Sequence, residues 1–127
     1  MEIQQQQNKP YVRLDEDNCI LTIKGASYPE HAGNFYEPIM EYINECLPKI
    51  KENKVMINLA MTLMNSVSEK CIYKIITTLC ENANVCVNWY HEYDDEDMED
   101  EGKMWKSTIK AKKFNIYSIK DFDNLQL

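Results

Sequence analysis

The sequence predicts a single α/β domain built on a largely parallel sheet. Three observations predict it. Strand-like segments alternate with helix-patterned ones in the order β-β-α-β-α-β-α-β. Residues 54–62 are apolar on both faces of a strand, as a strand in the middle of a covered sheet is. The chain has 127 residues, one domain's worth, and no linker divides it. The expected sheet is mixed, with four to five strands and about three flanking helices.

Residues 1–9 are polar and glutamine-rich and read as a flexible N-terminal segment, so the domain spans 10–127. Residues 11–14 and 19–24 read as two strands of a hairpin, joined by the turn-forming Asp15-Glu-Asp-Asn18 and ended by Gly25. Over residues 30–50, Phe35, Ile39, Ile43, Cys46 and Ile50 recur every three or four positions, which predicts a helix. Pro38 inside it cannot donate to the carbonyl of Asn34, so a kink or a late start is expected there. Residues 66–82 carry the clearest helical stripe, formed by Cys71, Ile72, Ile75, Ile76, Leu79 and Cys80. Residues 84–90 read as a strand. Residues 95–108 read as a third helix with Met98 and Trp105 facing inward, interrupted by Gly102. Residues 114–119 form the last strand. Crossovers between parallel strands are right-handed.

Composition excludes several classes of function. Hydrophobic residues make up 44% and charged residues 28%, ordinary globular usage. Asp and Glu number 21 against 14 Lys and Arg, a net charge of −7. Such a chain has no general attraction to nucleic acid or anionic lipid, so a protein partner is expected. The start of the chain has neither the basic region nor the apolar run of a signal peptide. The longest near-continuous apolar stretch, residues 55–64, is half of the roughly 20 residues a membrane span needs. A soluble, cytoplasmic protein is expected. The five cysteines, at 19, 46, 71, 80 and 86, form no C-x-x-C and read as small buried hydrophobes in a reducing compartment. With two histidines, His31 and His91, no metal site is expected. Phosphate-cradling glycine loops, the G-x-S-x-G elbow and the H-E-x-x-H motif are all absent, and no cofactor is expected.

Three local features are left to carry function. The first is Asn65-Ser-Val-Ser-Glu-Lys70, where the central strand meets the second helix. Ser66 and Glu69 fit a capping box, with Ser66 as N-cap. The same serine is also a candidate phosphoacceptor, because a phosphate there would meet the positive end of the helix dipole. The second is Asp94-Asp-Glu-Asp-Met-Glu-Asp-Glu101, seven acids in eight residues at the start of the third helix. Acids there match the dipole, as do Lys103, Lys106 and Lys110 further on. Asp94, Asp95, Glu96 and Asp97 are also a candidate docking surface for a basic partner. The third is the turn Gly25-Ala-Ser-Tyr-Pro-Glu30 between strand and helix.

Together with Phe35-Tyr-Glu-Pro38 and Val87-Asn-Trp-Tyr90, these segments resemble the SiaC-like family of bacterial regulatory phosphoproteins, in order and spacing, from Pro10 to Ile119. The resemblance implies a STAS-like fold of the anti-sigma-factor-antagonist type. It implies a non-enzymatic protein phosphorylated by a dedicated Ser/Thr kinase and restored by a metal-dependent Ser/Thr phosphatase. Its unphosphorylated form would bind and activate a diguanylate cyclase, in cyclic-di-GMP signalling and biofilm control. The family's acceptor follows the Asn of an Asn-Thr/Ser-Ser-Ser-Ser-Lys run, which here is Ser66, with Asn65, Ser68 and Lys70 shaping its surroundings. The run departs from the family at Val67 and Glu69. A carboxylate at Glu69, one turn on, repels a phosphate on Ser66 and makes Ser68 the second candidate acceptor. Two other readings compete. One is a STAS-like antagonist of an anti-sigma kinase. The other is a small enzyme using His31 or His91 beside a cysteine.

Overall fold

The computed structural model describes all of residues 1–127. Its sheet has six strands in sequence order: β1 (Glu2–Ile3), β2 (Tyr11–Asp15), β3 (Ile20–Ser27), β4 (Lys54–Met64), β5 (Asn84–Glu92) and β6 (Lys113–Ile119). The first two pairings are antiparallel and the last three parallel. Helix α1 (Ala32–Ile50) joins β3 to β4, α2 (Ser66–Asn82) joins β4 to β5, and α3 (Glu96–Thr108) joins β5 to β6. The expected α/β order is present, with one strand more than the upper expectation. The extra strand is β1, inside the segment expected to be flexible. Met1 and Leu14 also exchange backbone hydrogen bonds there.

One face of every parallel strand enters a common core. Ile23 of β3, Ile57 and Leu59 of β4, Val87 and Trp89 of β5, and Phe114 of β6 share it with Ile39 and Ile43 of α1, Ile72 and Ile76 of α2, and Met98 and Trp105 of α3. All three helices therefore lie on one side of the sheet. Parallel strands laid down in sequence order by crossovers of one hand produce this arrangement. It corrects the expectation that β4 is covered on both faces, since Met56 on the far face is 40% exposed. The far face is polar at its centre, where Thr22, Asn58, Asn88 and Asn115 stand side by side. Asn115 donates to Asn88, and Asn88 to Asn58, each over 3.1 Å.

Local departures from the expected elements have local causes. β3 runs on through Gly25, whose φ of 110° suits glycine alone, to Ser27. At that point Thr62 is an extra residue in β4, so Leu63 pairs with Ala26 and Met64 with Ser27. The bulge reverses the faces of the last two β4 residues: Leu63 turns outward and Met64 enters the core. Helix α1 starts at Ala32, not late, and continues through Pro38. Both Pro38 and Asn34, whose carbonyl loses its donor, lie on the exposed face of the helix, where the missing bond costs least. Tyr36, not Phe35, is the buried aromatic of its first turns. Of the five cysteines, all free, only Cys46 is buried and the others are half-buried.

Gly102 turns out to be a contact residue. The Trp89 indole lies over it and donates to the Met98 carbonyl over 3.1 Å. A Cβ at 102 would meet the indole at 2.6 Å. Trp89 is buried and packed edge-on against Trp105, so it cannot yield. Gly102→Ala is expected to destabilise the fold by about 1–3 kcal/mol in chemical denaturation, despite alanine's better helix propensity. A neutral or stabilising result would show that α3 can lift off the sheet freely.

Candidate functional site

The parallel strands end at one edge of the sheet, and the segments singled out in the sequence meet there. β4 hands over to α2 at Asn65. Its side chain, not that of Ser66, is the N-cap: Oδ1 accepts from the Ser68 N–H over 2.9 Å. Ser66 is thus the first helical residue, which corrects the capping box expected from the spacing. The rest of Asn65 is tied to the neighbouring loop. Its Nδ2 donates to the Pro29 carbonyl over 3.3 Å, and its backbone N–H to the Ser27 carbonyl over 2.9 Å.

Beneath this cap lies a buried row of hydroxyls. Ser27 donates to Ser68 over 2.8 Å and sits 2.6 Å from the Tyr36 hydroxyl. Burial pushes the Tyr36 phenol up to about 12, so it stays protonated and able to donate. Ser68 is 0% exposed. A phosphate on Ser68 would place about two charges inside this network, at the cost of its hydrogen bonds. Ser27 and Tyr36 were not picked out from the sequence. The turn 25–30 that contains Ser27 was, but an isolated serine and an aromatic nine residues apart carry no signal of a shared partner.

Ser66 is different. It is exposed, at a helix N-terminus whose first N–H groups have no intrahelical acceptor. At the same C-terminal edge of the sheet, apolar side chains face solvent: Tyr28 after β3, Leu63 next to last in β4, Val67 in the first turn of α2, and Tyr93 after β5. Leu63, Val67 and Tyr93 are 51%, 48% and 61% exposed. Lys70 is exposed one turn along α2.

The acidic run opens α3 beside this edge. Asp95 is its N-cap, accepting from the Met98 N–H over 3.0 Å. Asp94, Glu96 and Asp97 are exposed. Between α2 and α3, Glu101 accepts from the Trp105 indole over 2.9 Å and faces Glu69. Burial first, and then the Glu101 charge, hold the Glu69 carboxyl above its ordinary value. His91 is buried, with Nδ1 2.7 Å from the Glu92 carbonyl and Nε2 3.6 Å from Glu99. Its two ring nitrogens thus already face oxygen partners on β5 and α3.

A family model of SiaC family regulatory phosphoproteins matches residues 3–119. The chain belongs to this family. No curated protein is similar to it in sequence. Three solved structures from Pseudomonas aeruginosa share its fold, each at 18% identity. A chain in the crystal structure of the diguanylate cyclase SiaD in complex with its activator SiaC superposes with a TM-score of 0.84, covering 94% of this chain and 99% of that one. The structure of apo-SiaC gives 0.79, covering 93% and 98%. A further structure of SiaC gives 0.76, covering 94% and 96%. The family match agrees with the resemblance read from residues 10–119. No helix is long and apolar enough to cross a membrane.

Two outcomes follow from the geometry. Asn65→Ala removes the cap and is expected to cost about 1–2 kcal/mol in thermal denaturation, whereas Ser66→Ala stays within about 0.5. Equal losses would return the cap to Ser66. Separately, a carboxyl raised in the folded state opposes folding while ionised, and this penalty is lost as pH falls and the group takes up its proton. Glu69→Gln is therefore expected to raise the melting temperature at neutral pH and to match the wild type below the carboxylate range. A gain that persists in acid would trace the effect to packing instead.

Proposed function

We propose that this protein is a non-enzymatic binding module whose partner surface is controlled by phosphorylation of Ser66. One observation carries the reading. Ser66 is an exposed hydroxyl set among exposed apolar side chains, while Asn65 and Ser68 on either side are locked into the fold. A phosphate there brings about −1.5 to −2 charges. The helix dipole accommodates it locally, so the fold survives. The apolar surface around it does not, because docking would have to desolvate the dianion. Phosphorylation thus blocks binding without unfolding the domain.

The partner in this reading is a diguanylate cyclase, which connects the protein to cyclic-di-GMP signalling and biofilm control. Support comes from the family and from the fold shared with a chain of the SiaD–SiaC crystal structure. Asn65 and Ser68 hold the surface in shape, Lys70 borders it, and Asp94, Asp95, Glu96 and Asp97 supply an acidic flank for basic groups of the cyclase. Ser66, not the buried Ser68, is the acceptor for a cognate Ser/Thr kinase, and a metal-dependent Ser/Thr phosphatase reverses the step. Glu69, one turn along α2, opposes charge at Ser66, so it favours the unphosphorylated, binding form. The same reading places the fold with the STAS-like antagonists, supported by the alternation of parallel strands and helices. It places the protein in the cytoplasm, supported by five free thiols.

The test uses the purified chain, ATP and a lysate of its own host, with peptide mass spectrometry to locate phosphate, followed by titration against the cyclase encoded in the same genome. Phosphate is expected on Ser66. Ser66→Asp is expected to weaken cyclase binding at least about tenfold with its thermal stability nearly unchanged. Unaltered affinity of both the phosphorylated protein and Ser66→Asp would sink the mechanism.

A further inference from the structure

The sheet face opposite the helices is covered only in part. After β6, the chain turns back across it. Lys24 Nζ on β3 donates to the Leu125 carbonyl over 3.0 Å, and Phe122 is buried outside the main core. β3 and β6 are three strand spacings apart, roughly 14 Å, and six residues of chain reach at most about 20 Å. The tail from residue 120 onward therefore crosses β5 and β4 near the C-terminal end of the strands. Nothing in the chain crosses their N-terminal half.

That uncovered half is a hollow of about 580 Å³. Its floor includes one row of the sheet, Ile20, Met56 and Cys86, which continues into Lys113 on β6. Lys54 and Lys112 complete the rim. No acidic side chain lines it, in a chain with 21 acids and a net charge of −7. Met56 is the most exposed apolar side chain of the central strand apart from Leu63 at its end. Parallel sheets normally carry helices on both faces. The row from Ile20 to Lys113 is about 14 Å long across four strands, enough to seat two to three turns of a helix laid along it beside the tail.

We propose that this hollow is a second docking surface, and that it takes an acidic amphipathic helix of a partner protein. Apolar side chains of that helix rest on Ile20, Met56 and Cys86. Its carboxylates meet Lys54, Lys112 and Lys113. The surface lies at the opposite end of the strands from Ser66, so it is separate from the proposed phosphorylation-controlled one. Its chemistry is also opposite in sign to the acidic flank at Asp94–Asp97.

The experiment titrates the full chain, labelled on backbone amides and methionine methyls, with a roughly 18-residue helical peptide bearing leucine on one face and glutamate on the other. A lysine-for-glutamate peptide is the control. The glutamate peptide is expected to shift the Met56 methyl and the Cys86 and Lys113 amides, leaving the buried Met61 methyl and the Val67 amide in place. Lys54→Glu with Lys113→Glu is expected to weaken binding at least about tenfold, and the milder Lys54→Gln with Lys113→Gln to weaken it less. Both lysines are exposed, so both pairs fold, which circular dichroism checks. No shift at Met56, or equal shifts with both peptides, would overturn the proposal. So would shifts centred on the Ser66 edge. Co-sedimentation with phosphatidylglycerol vesicles that depends on the same lysines would reassign the hollow to a lipid surface. Self-association in sedimentation velocity that protects Met56 would reassign it to a second copy of the chain.

Discussion

Everything distinctive about this fold follows from one constraint: its parallel strands are laid down in sequence order, by crossovers that all close on the same side. Three helices then share one core, and the sheet's second face has none. That face must be made tolerable by other means. The chain does so with a hydrogen-bonded ladder from Asn58 to Asn115 at its centre and with its own tail towards the C-terminal ends of the strands. A doubly wound sheet reverses its strand order and binds ligands at the resulting crevice. Here the strand order does not reverse. The C-terminal edge carries exposed apolar side chains, Tyr28, Leu63, Val67 and Tyr93.

That edge divides its labour between buried and exposed hydroxyls. Tyr36, Ser27 and Ser68 form a sealed row that ties α1, β3 and α2 together, and Asn65 closes it from above. Breaking such a row leaves buried polar groups unpaired, at about 1–3 kcal/mol each. Ser66, two residues before Ser68, takes no part in it. A covalent change at Ser66 therefore acts on the surface and leaves the scaffold alone. Rigidity underneath is what would keep the outcome local in the proposed switch: a partner would meet the same backbone before and after modification, with one dianion more or less.

Much of this was legible in the sequence. The alternation of periods gave the element order, and the stripe from Ile72 to Leu79 gave the buried face of α2, because both depend only on residues close in the chain. The family likeness rested on short segments that the fold gathers at one edge or packs against it, which is why their order and spacing were informative. What was missed depended on partners distant in sequence. Which residue caps α2 was decided by Pro29 and Ser27, which hold Asn65 in place. The outward turn of Leu63 was decided by an extra Thr62 in the β3–β4 register. Gly102 looked like a flaw in a helix and is the place where an indole comes closest to it. Residues 54–62 looked covered on both sides because their far face holds Met56, Asn58 and Ala60. The asparagine and the alanine are buried, one in the polar ladder and the other beside Lys24, which holds the tail.

Charge supplies the last step. A protein with a net charge of −7 repels most other acidic proteins at a distance, so any acidic partner must be drawn by a local exception. The lysines at the N-terminal ends of the strands are such an exception, and the acids opening α3 are the rule. The two ends of one sheet thus carry opposite charge, and on the two proposals above each would favour partners that the other repels. Charge added at Ser66 would strengthen the rule at its own end: it would stand one turn from Glu69, whose own ionisation burial and the Glu101 charge already oppose. In the proposed switch, the charge of the phosphate would also set the direction of its effect. The unmodified edge is the lower-charge, more apolar one, and it is the form in which its exposed side chains can be covered.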